Sequence, residues 1–225
     1  MSRFVIYFET MAGTHLTDAV RALRDSGSAD ALYDHQLRAA DPSEVTYEEF
    51  SIASDVAEGR RVRHARHALL FAAFAAEAYA NDFLYDKRHG QDREALRRLP
   101  TVDKFALLPA LSAKSTALRR GGQPLQTIKW LFQRRDELVH AAPVGRDLTY
   151  DPVNHNPQAA AKAIVAVAAA AATLNGGAPA GSALSHVVAE RQSLLAYGER
   201  AEQGLPGIHD EPSSHDLLSG ARGRD

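Results

Sequence analysis

The chain lacks cysteine entirely, and only 7% of its 225 residues are aromatic. The missing cysteines exclude a disulfide framework and a thiolate metal site. A strong charge of one sign is also missing, since the formal net charge is -2. Non-specific nucleic-acid binders are usually more basic, so any contact with RNA must come from a local patch. The hydrophobic fraction, 45% and rich in alanine, favours packed helices.

A long hydrophobic run is absent as well. The first ten residues lack the apolar core and the small-residue cleavage site of a signal peptide. The longest apolar stretch, Ala163 to Leu174, consists mostly of alanine and is too short to span a bilayer. We therefore expect a cytoplasmic protein with no membrane contact.

The pattern along the chain predicts a mainly α fold with two appendages. Residues 1–52 form an N-terminal extension of unclear role, with a short strand at 2–9 and a helix at 14–25 that Thr14 or Thr17 would cap. Residues 53–203 form a helical bundle. Residues 204–225 combine glycine, proline, serine and charge, which predicts a disordered tail.

Within the bundle, a long helix is predicted from Ala53 to Asp86. Its second half, ALLFAAFAAEAYANDFL, is apolar nearly all round and is expected to be the buried central helix. Its first half carries a basic cluster that includes Arg63 and is expected to project beyond the bundle, as a solvated face or an RNA-binding stripe. His64 and His67 are three residues apart, but no carboxylate shares their face, so no metal site is expected. Further helices are predicted at 92–99, from Thr101, and at 123–142, 159–174 and 183–203.

The segment QTIKWLFQRRDELVHAAP carries the candidate chemistry. On a helix, one apolar stripe contains Ile128, Leu131, Phe132, Leu138, Val139 and Ala142. Arg135 falls near the middle of that stripe. Because an unpaired buried charge is costly, Arg135 must pair inside the bundle or face a partner surface.

Glu77 and Asn81 are four residues apart on the apolar helix and therefore share a face. Their carboxylate and amide are candidates to receive the guanidinium of Arg135. Asp136 lies four residues before His140 and can orient its ring. Two structural alternatives stay open: Arg135 is a buried ion pair with Glu77, or His140 only caps the end of its helix.

The run Arg135–His140 resembles the R-x4-6-H motif of HEPN domains, in which a polar residue commonly follows the arginine. The segments AFAAEAYANDFL and TVDKFALLPAL are similar to the corresponding parts of such helical bundles. The resemblance covers roughly residues 65–150. It implies a HEPN-like fold for the central part of the chain, with Arg135 and His140 as the catalytic pair and Asp136 positioning His140.

The resemblance further implies a metal-independent endoribonuclease that works as a homodimer, without a cofactor. The RNA 2′-hydroxyl attacks the adjacent phosphate, His140 moves protons, and Arg135 holds the phosphate. Arg134, Lys104 and Arg63 are candidate RNA contacts, although Lys104 also fits a plain surface lysine. Family members often act as toxins with an antitoxin partner or in antiviral defence. The alternative is a non-catalytic HEPN-like module that binds a protein or a nucleotide.

Overall fold

The computed structural model describes residues 11–26, 47–87, 91–111, 118, 121–139, 156–175, 177–178 and 180–202. These residues are mainly helical and contain no strand, which confirms the predicted fold class. The helices are α1 (11–26), α2 (Tyr47–Lys87), α3 (Gln91–Arg97), α4 (Thr101–Leu111), α5 (Leu125–Val139), α6 (Pro157–Asn175), α7 (Ala183–Ala189) and α8 (Arg191–Glu202).

Helix α2 is the central element, as its apolar second half predicts. It is about 60 Å long at ~1.5 Å per residue, and it packs against α3, α4, α5 and α6. Its alanines let the neighbouring helices approach closely, and Leu69 is fully buried. The part of α2 that projects beyond the bundle, however, is not the basic cluster, as was predicted. Val62 and Ala65 are buried, whereas Ile52 and Val56 are exposed, so the turns before Arg60 extend beyond the bundle.

Helix α1 belongs to the same core as the rest of the bundle. Leu16 and Leu23 lie in the main hydrophobic cluster, and Arg24 forms an ion pair of 3.2 Å with Glu190 between α7 and α8. The predicted division at residue 52 therefore separates α1 from a core to which it contributes, and it cuts through α2. Thr17 is not an N-cap, because its hydroxyl donates to the carbonyl of Gly13 inside α1.

Helix α6 is the alanine-rich element that α2 and α8 cover. Asn156 begins it by accepting a 2.7 Å hydrogen bond from the Ala159 amide, and Pro157 suits the first turn because it lacks an N–H. By length and composition alone, the segment Pro157–Leu174 passes as a membrane span, with a mean hydropathy of 1.4. The prediction that the longest apolar stretch is too short to span a bilayer considered only residues 163–174, and it therefore does not hold. Since 67% of this segment is buried inside the protein, α6 equally fits a core helix.

The remaining boundaries are close to the predicted ones, with one correction. The helix predicted at 183–203 is two helices, since the chain turns at Glu190 between α7 and α8. Ser182 caps α7 by accepting a hydrogen bond from the Ser185 amide. The predicted strand at 2–9 and the predicted tail at 204–225 lie outside the described residues.

Candidate functional site at the end of helix α5

Helix α5 leaves the core over its last turns. Ile128 and Leu131 are fully buried and Phe132 is nearly so, as the apolar stripe predicts. Leu138 is only half-buried, and Val139 is 55% exposed. The stripe therefore packs along its first half and opens toward solvent along its second half. Arg135 stands at the transition, with 27% of its side chain exposed.

The guanidinium of Arg135 sits among two carboxylates and one aromatic ring. Its Nε and Nη2 donate to the same oxygen of Asp136, at 2.9 and 2.6 Å. Its Nη1 lies 3.4 Å from an oxygen of Glu77 on α2, which confirms the predicted pairing of these two residues. The ring of Phe132, one turn back on α5, lies 4.9 Å from the guanidinium carbon. Three side chains thus fix the position of one charge.

Arg135 keeps hydrogen-bonding capacity beyond these contacts. A guanidinium has about five N–H groups, and contacts with the described residues engage three of them. The side chain is also open to solvent in part, since 27% of it is exposed. Full burial of Arg135 in its own bundle, which a purely structural role would favour, is not observed.

Asn81 binds Lys104 and not Arg135, the cation that was predicted. Its side-chain oxygen accepts a 2.7 Å hydrogen bond from the ammonium of Lys104 on α4. The Glu77–Asn81 ridge of α2 therefore binds one cation from α5 and another from α4. The pairing of Asn81 with Arg135 was expected from spacing along α2 alone, which cannot decide which neighbouring helix supplies the partner.

Lys104 is a buried cation and not a surface lysine, since only 4% of the residue is exposed. Burial lowers the pKa of its ammonium below the ordinary value of 10.5, because a charge loses solvation inside the protein. The negative charge of Glu77 opposes this shift, and the positive charge of Arg97 adds to it. Lys104 is enclosed between helices, so it supports the Glu77–Asn81 ridge that binds Arg135 and does not contact a phosphate directly.

The other candidate residues occupy separate positions. Arg134 forms a 2.7 Å ion pair with Glu137 on the same helix. Arg63 lies exposed on α2 and lines a cleft with Leu138. His140 directly follows the last residue of α5, and its own placement lies outside the described residues, as does its relation to Asp136.

Arg135→Gln is expected to lower the free energy of unfolding by less than about 1 kcal/mol, because partly exposed ion pairs contribute little to stability. Urea denaturation at neutral pH measures this change. Arg21→Gln is the matched control, since Arg21 also pairs with an aspartate on its own helix, Asp18. A loss of several kcal/mol in Arg135→Gln alone would instead identify a buried structural charge.

Two features of the site were missed by the sequence interpretation. Phe132 was assigned only to the apolar stripe, although its position three residues before Arg135 places its ring beneath the guanidinium. The Lys104–Asn81 hydrogen bond joins residues 23 positions apart, and no local spacing signals it. The first feature was available from helical periodicity, and the second was not.

No protein-family model, no curated protein and no solved structure matches this chain.

Proposed function

We propose that this protein is a metal-independent endoribonuclease of HEPN type. The observation that carries the proposal is the state of Arg135. The residue lies at the open end of α5, it is held by Asp136 and Glu77, and its contacts with the described residues engage three of its N–H groups. Five residues further along the sequence comes His140, the side chain best suited to proton transfer near neutral pH.

In this mechanism, the 2′-hydroxyl oxygen of RNA attacks the neighbouring phosphorus as His140 accepts its proton. The bond from phosphorus to the 5′-oxygen breaks, and that oxygen takes up a proton from the protonated His140 of the second copy in the homodimer. The products are a 2′,3′-cyclic phosphate and a 5′-hydroxyl end. Arg135 donates to the non-bridging phosphate oxygens, whose negative charge increases in the transition state.

The proposal includes a homodimer in which the ends of two α5 helices meet. Val139 beside the motif is 55% exposed, and a second copy would cover it. A protein antitoxin or another regulator is a further partner under the same proposal.

A non-catalytic binding module is the second candidate. It is favoured by the fact that Arg135 already finds two carboxylates within its own chain. In that case the cluster stabilises the junction between α2 and α5, and the exposed end of α5 binds another protein.

RNA cleavage by the purified full chain in EDTA decides between the two functions. We expect cyclic-phosphate ends from the wild type and a rate about 10²–10⁴ times lower in Arg135→Ala and in His140→Ala. Arg21→Ala, which removes an ion-paired arginine on α1, should cleave at the wild-type rate. Equal cleavage by all variants would discard this site. No cleavage by the wild type would favour the binding module.

A further inference from the structure

A cleft of about 640 Å³ opens between one face of α2 and the end of α5, where Leu138 lines it. The charged side chains of its lining are sorted along α2. Asp55 and Glu58 precede Gly59, whereas Arg63 and Arg66 follow it. The cleft therefore has an acidic half and a basic half, and these four charges cancel. Such a surface is complementary to one that carries the same two halves in the reverse order.

The turns of α2 that lead into the cleft carry an exposed apolar ridge. Ile52 and Val56 lie one turn apart and are 58% and 50% exposed. At ~100° per residue, Ile52 lies ~20° and Val56 ~60° around the helix from Gly59. The ridge therefore continues directly into the face of α2 that lines the cleft.

This face of α2 follows a heptad spacing. Positions 52, 56, 59, 63, 66 and 70 alternate steps of four and three residues. That spacing is typical of a helix that packs lengthwise against another helix. Leu70 at the far end is half-buried, whereas Ile52 and Val56 at the near end are exposed, so the described residues leave the first turns of this face open.

Asp55 and Arg63 are the two lining charges that a second molecule can pair with. Both side chains are exposed, and neither forms an ion pair with the described residues. They lie eight residues apart, about 12 Å along α2, which is too far for them to pair with each other. Glu58 is paired with Arg61 at 2.6 Å, and Arg66 has a contact within the chain.

A second copy of the chain supplies both counter-charges if its α2 runs antiparallel to the first. With a two-fold axis beside Gly59, residues at equal distances before and after Gly59 lie at the same level. Asp55 is four residues before Gly59 and Arg63 is four residues after it, so Asp55 of each copy comes level with Arg63 of the other. Ile52 of each copy then lies about 6 Å along the helix from Leu70 of the other, within the cleft.

The same arrangement orients the two α5 helices. Arg135 contacts Glu77, and Leu138, three residues later, lines the cleft beside α2 residues that all precede Glu77. Helix α5 therefore runs toward the start of α2. A two-fold axis beside Gly59 makes the two α5 helices point toward each other on the same side of the paired α2 helices.

We propose that two copies of the chain associate through antiparallel contact of their α2 helices over residues 52–70, centred near Gly59. Asp55 pairs with Arg63 of the other copy, twice in each dimer, and the Ile52–Val56 ridge enters the cleft of the other copy. Arg63 then contacts protein and not RNA. The inference rests on the proposed ribonuclease for the role of the homodimer, but its test requires no RNA.

The molar mass of the purified full chain is measured by analytical ultracentrifugation over a range of concentrations. The wild type should form a dimer. Asp55→Arg alone and Arg63→Glu alone place like charges at both contacts and should each weaken the dimer about tenfold or more. An equimolar mixture of these two variants should associate as strongly as the wild type, because opposite charges then meet at both contacts. Recovery on mixing also shows that both variants are folded.

Ile52→Asn should weaken the dimer about tenfold, because it removes an apolar side chain that is exposed in the single chain and buried in the dimer. Val188→Asn on α7 and Arg191→Glu on α8 are the matched controls, since both residues are exposed outside the cleft lining. Their dimers should be as strong as that of the wild type.

A monomeric wild type would overturn the proposal. So would a dimer that the α2 variants leave unchanged, equal weakening by the controls, or a mixture of Asp55→Arg with Arg63→Glu that stays monomeric. RNA cleavage is assayed separately. A dimer that behaves as expected but cleaves no RNA would remove the ribonuclease proposal and support this interface.

Discussion

Gly198→Ala is expected to lower the free energy of unfolding by about 2 kcal/mol, because it overpacks the contact between α6 and α8. A Cβ atom at Gly198 would lie 2.7 Å from the Cβ of Ala161 and 2.8 Å from the carbonyl oxygen of Pro157. The Cα of Gln158 would be 3.1 Å away. None of these atoms belongs to a flexible side chain, so α8 must move away from α6. This cost exceeds the gain of up to about 1 kcal/mol from replacing glycine by alanine in a helix.

Gly59→Ala is the matched control for this substitution. A Cβ atom added at Gly59 in α2 would meet nothing within 4 Å, so the same change should raise the free energy of unfolding by about 0.5–1 kcal/mol. Urea denaturation of both variants measures the two effects, with the slope of the transition checking that the denatured state is unchanged. A Gly198→Ala variant as stable as Gly59→Ala would show that α6 and α8 do not depend on close contact.

The part of the fold that follows from local periodicity could be predicted from the sequence. The apolar half of α2 marks a central helix, and the structure places it there. Periodicity does not identify the element that covers each face. The role of α1 in the core was therefore missed, because its four core residues look like any amphipathic face. Gly198 is a glycine inside a helical pattern, which is unfavourable for the helix itself and is compatible with a packing role.

The candidate site was likewise predictable only where the pattern along a single helix determines it. Arg135 in an apolar stripe requires a partner, and Glu77 is one of two acids, with Asp82, in the apolar half of α2, so their pairing could be proposed from the sequence. The exposure of Arg135 could not be predicted, because it depends on where α5 leaves the bundle. The stripe continues to Ala142 in the sequence, but the described part of α5 ends at Val139, which is 55% exposed.

Lys104→Met is the second substitution with a large expected effect, and its effect depends on pH. The ammonium of Lys104 is buried between α4 and α2 with one hydrogen bond, to Asn81. Its lowered pKa means that the charged form is less favourable in the folded chain than in the unfolded one. Asn81 is only half-buried, so its oxygen can bind water once the ammonium is gone. At neutral pH we therefore expect Lys104→Met to raise the free energy of unfolding, because the cost of burying the charge disappears.

The pH dependence follows from the lowered pKa of Lys104 in the folded protein. Between that pKa and the ordinary value of 10.5, the unfolded chain binds more protons than the folded one, so this group makes the wild type more stable as pH rises. Below that window the burial cost is fully present. The advantage of Lys104→Met should therefore be largest near neutral pH and should shrink as the pH approaches 10.5.

Urea denaturation of both proteins across this range measures the difference, with Lys129→Met on the exposed side of α5 as the matched loss of an ammonium. A stability difference between the two proteins that stays constant with pH would show that Lys104 remains solvated.

The outcome also bears on Arg135, because Lys104 and Arg135 both bind to the Glu77–Asn81 ridge. If the charge of Lys104 helps to hold Glu77 in place, Lys104→Met will weaken the ion pair between Glu77 and Arg135, although it stabilises the fold. Stability and RNA cleavage would then change in opposite directions, which separates a positioning role for Lys104 from a purely structural one.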